Sequence, residues 1–201
     1  MNSTVEKYIA GLKNAYINRN AEKYWQHFED IKHGASNEAI EKIREIYPDV
    51  PSSLLNLLSF VDGTYYRKYA GEEITFYLLG SDVEKYPYYL LSCEQIIKNQ
   101  NFDKEYYSEY VERENEEVEI DDRIINNSKA LKWLHFSDCM NNGGTSQLFI
   151  DFSPSAKGNY GQVVRFLHDP DSIIVIGDNF EDYLNYLVDT QYGFIEEDDF
   201  D

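Results

Sequence analysis

The chain has 201 residues, 42% hydrophobic and 27% charged, which is long enough for one domain that buries roughly 70% of its unfolded surface without a disulfide or structural metal. Lys and Arg number 18 against 37 Asp and Glu, a net charge of −19, so nucleic acid and anionic membrane would be repelled and a basic protein partner fits better. No apolar run approaches the ~20 residues of a membrane span, the N-terminus lacks the pattern of a signal peptide, and Cys93 and Cys139 are the only cysteines, so a reduced, cytoplasmic protein is expected.

In chain order, Ser3 and Glu6 have capping-box spacing, and Val5, Ile9, Leu12 and Tyr16 share one helix face. Asn18-Arg19-Asn20 interrupts, and Tyr24, Trp25 and Phe28 form a second short face that ends near Gly34. Ser36 caps a third helix with Ile40, Ile43 and Tyr47 inward, ended by Pro48. Pro51 opens a fourth, whose stripe Leu54, Leu55, Leu58 and Val61 closes at the Asp62-Gly63 turn.

The character then changes. Ile74–Leu79 is apolar, β-branched and aromatic and reads as an interior strand, and Tyr86–Leu91 as a second extended piece. Ser92 and Gln95 make another capping-box pair. Beyond Leu131 the chain alternates strands with turns: 131–136, a loop at 138–144, then 147–152, 162–167 and 173–176, with Phe180, Leu184 and Leu187 on a closing helix. Short polar connections favour antiparallel pairing. The fold class is therefore α+β: a single domain with a mainly antiparallel sheet packed by helices. Phe76, Leu78, Leu148, Ile150, Val164, Phe166, Ile174 and Ile176 are its expected core strand residues.

The charge is concentrated in two places. Residues 102–122 hold ten carboxylates against Lys104 and Arg113, and residues 189–201 hold six with no base. Such runs are ordinarily solvated faces or loops. The first run also carries Tyr106, Tyr107 and Tyr110, which are expected to lie outside the main core, and tyrosine suits interfaces through its large rigid area and polar tip. This makes Glu105, Tyr106, Tyr107, Glu109, Tyr110, Glu112, Glu116 and Glu117 the candidate partner-binding residues, with Asp138, Asn141 and Asn142 of the polar loop as the next candidates.

Catalytic patterns are missing from the sequence. His27, His33, His135 and His168 include no pair at i, i+4, and no Cys-x-x-Cys, nucleophile elbow or phosphate loop occurs. A Cys139–His135 pair is conceivable, but a free Cys is ordinarily a small buried hydrophobe. No enzyme activity, metal or cofactor is expected, and the oligomeric state is left open.

Several segments resemble one family. Pro51-Ser52-Ser53-Leu54-Leu55 running into Phe60-Val61-Asp62-Gly63 is similar to the helix and turn of the SUKH superfamily. Trp133-Leu134-His135-Phe136 resembles its W-x-P-h strand, and Leu148 to Pro154 its L-x-h-D-h-x-P segment. Gly158 with Gly161-Gln162-Val163 resembles G-x-x-G-Q-V, and Phe180 with Tyr183-Leu184 the closing helix. Leu134-His135 departs from the usual apolar-Pro pair, and Asn179 stands where Ser is common. The resemblance covers roughly 34–188, with 1–33 as an N-terminal helical segment, an acidic insertion near 102–127 and an acidic tail at 189–201. It implies a SUKH-like binding domain. The superfamily contains fungal cell-wall regulators of the Smi/Knr type and bacterial immunity proteins that neutralise a cognate toxin, often a nuclease. The expected function is an immunity protein bound to a basic cognate toxin; the alternative is a regulatory scaffold of the Smi/Knr type.

Overall fold

The computed structural model describes residues 3–69, 71–74, 76–83, 86–114, 117–141 and 144–196. Four helices come first: α1 (Ser3–Asn18), α2 (Glu22–Ile31), α3 (Asn37–Ile46) and α4 (Ser52–Phe60). Their ends follow the sequence signals. Asn20 takes a left-handed φ of 60° between α1 and α2, and the Ser36 hydroxyl accepts from the Ala39 N–H at 3.2 Å. A two-stranded ribbon follows, β1 (Arg67–Tyr69) and β2 (Glu72–Ile74), then β3 (Tyr89–Leu90) and the helices α5 (Cys93–Lys98) and α6 (Phe102–Val111). At the start of α5, Ser92 and Gln95 form the expected reciprocal capping box. The chain continues through β4 (Glu119–Ile120), β5 (Trp133–Asn141), β6 (Gly144–Asp151), β7 (Gln162–Leu167), β8 (Ser172–Gly177) and α7 (Phe180–Asp189).

The main sheet runs β3-β5-β6-β7-β8-β4. Every pair is antiparallel except β4–β8, so the α+β, mainly antiparallel expectation holds. One sheet face carries Leu134, Phe136, Leu148, Ile150 and Val163, and packs on α1–α4 and α7. The first helices belong to this same core: Val5, Tyr8, Leu12 and Tyr16 of α1 are fully buried in it. The chain after α7 packs there too, through Tyr192, Phe194 and Ile195.

Three expectations need correction. Thr75 lies outside the described residues, and the rest of Ile74–Leu79 is not one strand: β2 stops at Ile74, and within 76–79 only Leu79 makes a bridge, an isolated one to Tyr88. Its backbone is satisfied differently. Buried tyrosine hydroxyls from the helices donate to its carbonyls: Tyr8 to Leu78 at 2.6 Å, Tyr16 to Tyr77 at 2.7 Å and Tyr183 to Gly80 at 2.7 Å. Phe76 and Leu78 are still core residues. Second, 138–141 is not loop but the end of β5, paired to β6 from Asp138↔Gln147 to Asn141↔Gly144. Third, Ile174 and Ile176 are only partly buried, while their neighbours Ile173 and Val175 are buried. Strand β8 is covered more completely on the face away from the main core.

That second face has a core of its own. Trp133, Phe149, Val164, Phe166, Ile173 and Val175 project from it, and α6 with the segment up to Leu131 covers them through Tyr107, Val111, Ile124 and Leu131. Part of the acidic stretch is therefore a structural layer. Its anchors are specific. Asp103, at the second position of α6, accepts from the Trp133 N–H at 2.8 Å. Arg113 stands just beyond α6 with φ 55° and donates to the carbonyls of Val111, Ile124 and Ile125. It thereby gathers unpaired carbonyls at a helix end that ordinarily takes glycine. Asp121 accepts a forked pair from Arg123 and the Val175 N–H. Burial raises its pKa, but these donors outweigh it and the net direction is down.

The block from Asp151 to Gln162 is a clamp. Asp151 is fully buried and accepts from the Ser153 N–H at 2.7 Å and from Gln162 Nε2 at 2.9 Å. Gln162 is held in that orientation because its Oε1 accepts from the Asn159 N–H at 3.0 Å. Asp151→Asn should therefore set an amide donor against an amide donor that cannot turn, at a cost of about 1–3 kcal/mol in urea unfolding. Burial raises the Asp151 pKa, so its contribution is fully present below the unfolded carboxyl value of ~4 and is lost as pH rises through the folded value. The penalty for Asn should then be larger in acid than at neutral pH; a penalty that grows with pH would contradict this.

Candidate functional site

Between α6 and the adjoining ends of β5, β6 and β7 lies a cleft of about 520 Å³. Its helix wall is Phe102, Tyr106, Tyr107 and Tyr110, and its sheet wall is Asp138, Gln147, Phe166 and His168. Two separate groups of sequence candidates, the tyrosines of the acidic stretch and Asp138, thus meet in one place.

Helical spacing decides what each α6 residue does. Asp103, Tyr107 and Val111 recur every fourth residue and face the sheet, whereas Glu105, Tyr106, Glu109 and Glu112 are exposed. Tyr107 is only 3% exposed and its hydroxyl donates to Gln147 Oε1. It lies outside the main core, as expected, but it fills the second one, and so it forms the floor of the cleft. Tyr110 is half-buried; its hydroxyl donates to Asp171 at 2.7 Å, and chiefly that bond, with burial, pushes its pKa up to about 12. Tyr106 is 60% exposed and stacks on Phe102 with ring centroids 4.3 Å apart. Of the three tyrosines it is the one that presents most of its surface to solvent.

Of the glutamates, Glu112 accepts from the Ser128 hydroxyl and N–H, and chiefly these bonds lower its pKa. Glu117 is exposed. Glu116 and Asn142 lie outside the described residues, and Asn141 is placed by its backbone pairing with Gly144.

Asp138 reaches the cleft because β5 is irregular. Leu134 and Phe136 face the main core, and simple alternation would send position 138 there as well. The register shifts between His135 and Ser137, after which Cys139 takes the core side and Asp138 the cleft side. Nothing in the residue pattern marks that bulge. His135 lies on the cleft side, buried, with its ring centroid 4.8 Å from both Phe102 and Phe149. Its Nε2 is 3.0 Å from Asp138 Oδ1 and its Nδ1 is 3.1 Å from the Asn99 amide. Cys139 is thus on the opposite sheet face from His135, and burial, then the Asp138 charge, push its thiol up to about 12. That arrangement disfavours a thiolate.

A second concavity lies around Asp62, between α3, α5 and β1. There Asp62 is consumed by structure: Oδ1 accepts from the Cys93 N–H at 2.9 Å and Oδ2 pairs with Arg67 at 2.6 Å. Among the described residues no group of three His, Cys, Asp or Glu could hold a metal ion, and no helix is long and apolar enough to cross a membrane.

Comparison with known proteins adds one finding. The model of the SMI1 / KNR4 family (SUKH-1) matches residues 34–186. No curated protein matches the chain.

Proposed function

The chain belongs to the SMI1 / KNR4 family (SUKH-1), and we propose that it is an immunity protein that neutralises a basic, nuclease-type toxin by covering it. The observation that carries this reading is the split character of α6. Its inner face is anchored in the second core, and its outer face carries Glu105, Glu109 and Glu112 with no basic residue in the last turn. Carboxylates near a helix C-terminus oppose the helix dipole and one another. A basic surface would offset both, and its approach would be accelerated by the charge of −19. A nuclease must hold phosphate on a basic face, so an acidic protein can occupy the same surface.

The test is association with the toxin encoded beside this gene, measured by stopped flow at two salt concentrations. The triple variant Glu105→Gln, Glu109→Gln, Glu112→Gln keeps every side-chain length and the Glu112 acceptor for Ser128. It should associate about 10–100-fold more slowly at low salt, with a flatter salt dependence. An unchanged rate and salt slope would remove α6 from the interface; no binding to the toxin at all would overturn the proposed function.

A further inference from the structure

Asp138 is only 8% exposed, and it lines the cleft. Oδ1 faces His135 Nε2 at 3.0 Å. With the Asn99 amide donating to Nδ1, Nε2 is the nitrogen left to donate, and it lies between Asp138 Oδ1 and the Ser137 carbonyl, 3.2 Å away. A carboxylate recessed in a cleft is less well hydrated than one on an open surface, so a positively charged donor that enters the cleft meets a stronger field there. The β5 bulge turns this group into the cleft, and His135, pinned by Asn99, fixes its orientation there.

The rest of the cleft defines what that cation is. Its walls are aromatic faces and edges: the stacked Phe102–Tyr106 pair, and Tyr110 and Phe166 with centroids 5.8 Å apart. About 520 Å³ lies within the range of sites that take one small ligand. Flat rings beside a single carboxylate suit a planar, weakly hydrated cation that stacks and donates in the same plane. A guanidinium does both, whereas an ammonium is more strongly hydrated and has no plane to stack.

We propose that this cleft receives one arginine side chain of the basic protein partner, its guanidinium on Asp138 and its plane against the Phe102–Tyr106 wall. The proposal rests on the toxin-binding reading above and gives it an anchor point. The glutamates outside α6 would steer the partner in, and the buried arginine would hold it, as desolvated arginines do at the centre of interfaces.

The probe is N-acetyl-arginine methylamide, titrated into the full chain and followed by the backbone amide signals of Asp138 and Gln147. Saturable shifts in the range of about 1 mM are expected. The citrulline counterpart, which replaces the guanidinium by an uncharged urea of the same shape, should bind at least about tenfold more weakly. Asp138→Asn should weaken the arginine probe by a similar factor at unchanged thermal midpoint, because an amide oxygen still accepts from His135. Tyr106→Ala, at an exposed position, should weaken it about 2–5-fold and serves if the Asp138 variant unfolds. Equal binding of citrulline, shifts that map elsewhere, no saturable shift, or full affinity in both variants would overturn the proposal. If the toxin still associates through the glutamates while the probe fails, the arginine anchor falls and the immunity reading stands. If the probe binds and the toxin does not, the reverse holds.

Discussion

Gly63→Ala should lower the thermal midpoint by about 4–16 °C, corresponding to roughly 2–4 kcal/mol in a chain of this size. Two independent costs add. Gly63 has φ +85°, where an L side chain is strained by about 1 kcal/mol. A Cβ there would also lie 2.5 Å from the Ser92 backbone nitrogen and 2.7 Å from its Cα, so backbone must move, at about 1–3 kcal/mol. The junction cannot yield easily. Thr64 N–H donates to Leu90 O at 2.7 Å, Tyr69 hydroxyl donates to Gly63 O at 2.7 Å, and Asp62 holds both Arg67 and the start of α5. Gly161→Ala separates the two costs. Its φ is +86° but nothing lies within 4 Å of the added Cβ, so only the conformational part should appear. Equal losses at the two positions would show that the contact with Ser92 contributes nothing.

That junction was visible in the sequence as a turn after an apolar stripe, and so were the features set by neighbouring residues. The Ser36 cap and the Ser92–Gln95 box follow from local chemistry that spacing displays. The order of β6, β7 and β8 followed from period and turn residues in the same way. What stayed hidden depends on partners distant in sequence. The 76–80 segment has a strand's composition, but tyrosines from α1 and α7 donate to three of its carbonyls, and its backbone bonds only locally, to Thr64 and Tyr88. The chain has 18 tyrosines, and these bonds give three of them a role inside the core. Residues 102–127 look like a solvated charge run because their carboxylates outnumber their apolar side chains; the few that point inward, Tyr107, Val111 and Ile124, are legible only once an uncovered sheet face is known to need them. The cleft was half visible: the α6 tyrosines were identifiable by their setting, whereas the side to which Asp138 points is set by a bulge that no spacing rule reveals.

Removing residues 102–127 and closing the gap with a short Gly-Ser linker should therefore abolish soluble monomer. An acidic insertion that only aids solubility could be cut without harm, and the charge lost with it would bring the protein closer to neutral but leave its core intact. The structure gives the segment a different job. Without it Trp133, Phe149, Val164, Phe166, Ile173 and Val175 lose their cover on one contiguous sheet face. Each large apolar side chain is worth roughly 1.5–3 kcal/mol of burial. Even discounted for a compact unfolded state, six of them rival the ~5–15 kcal/mol that an ordinary domain has in total. The cut also removes β4, which pairs with β8 at the sheet's end, and so leaves β8 as a bare edge beside the exposed apolar face. Edge and patch together are what strand-to-strand aggregation requires. Elution in the void volume of a sizing column is the expected result, against a monomer for the Glu105, Glu109, Glu112 triple variant, which changes only the outer face of the same helix. A monomeric excision product with the parent's unfolding midpoint would show that the second core is dispensable. If the expected result holds, this surface cannot be stripped away without unfolding what carries it, and a partner that grips α6 grips a layer of the fold.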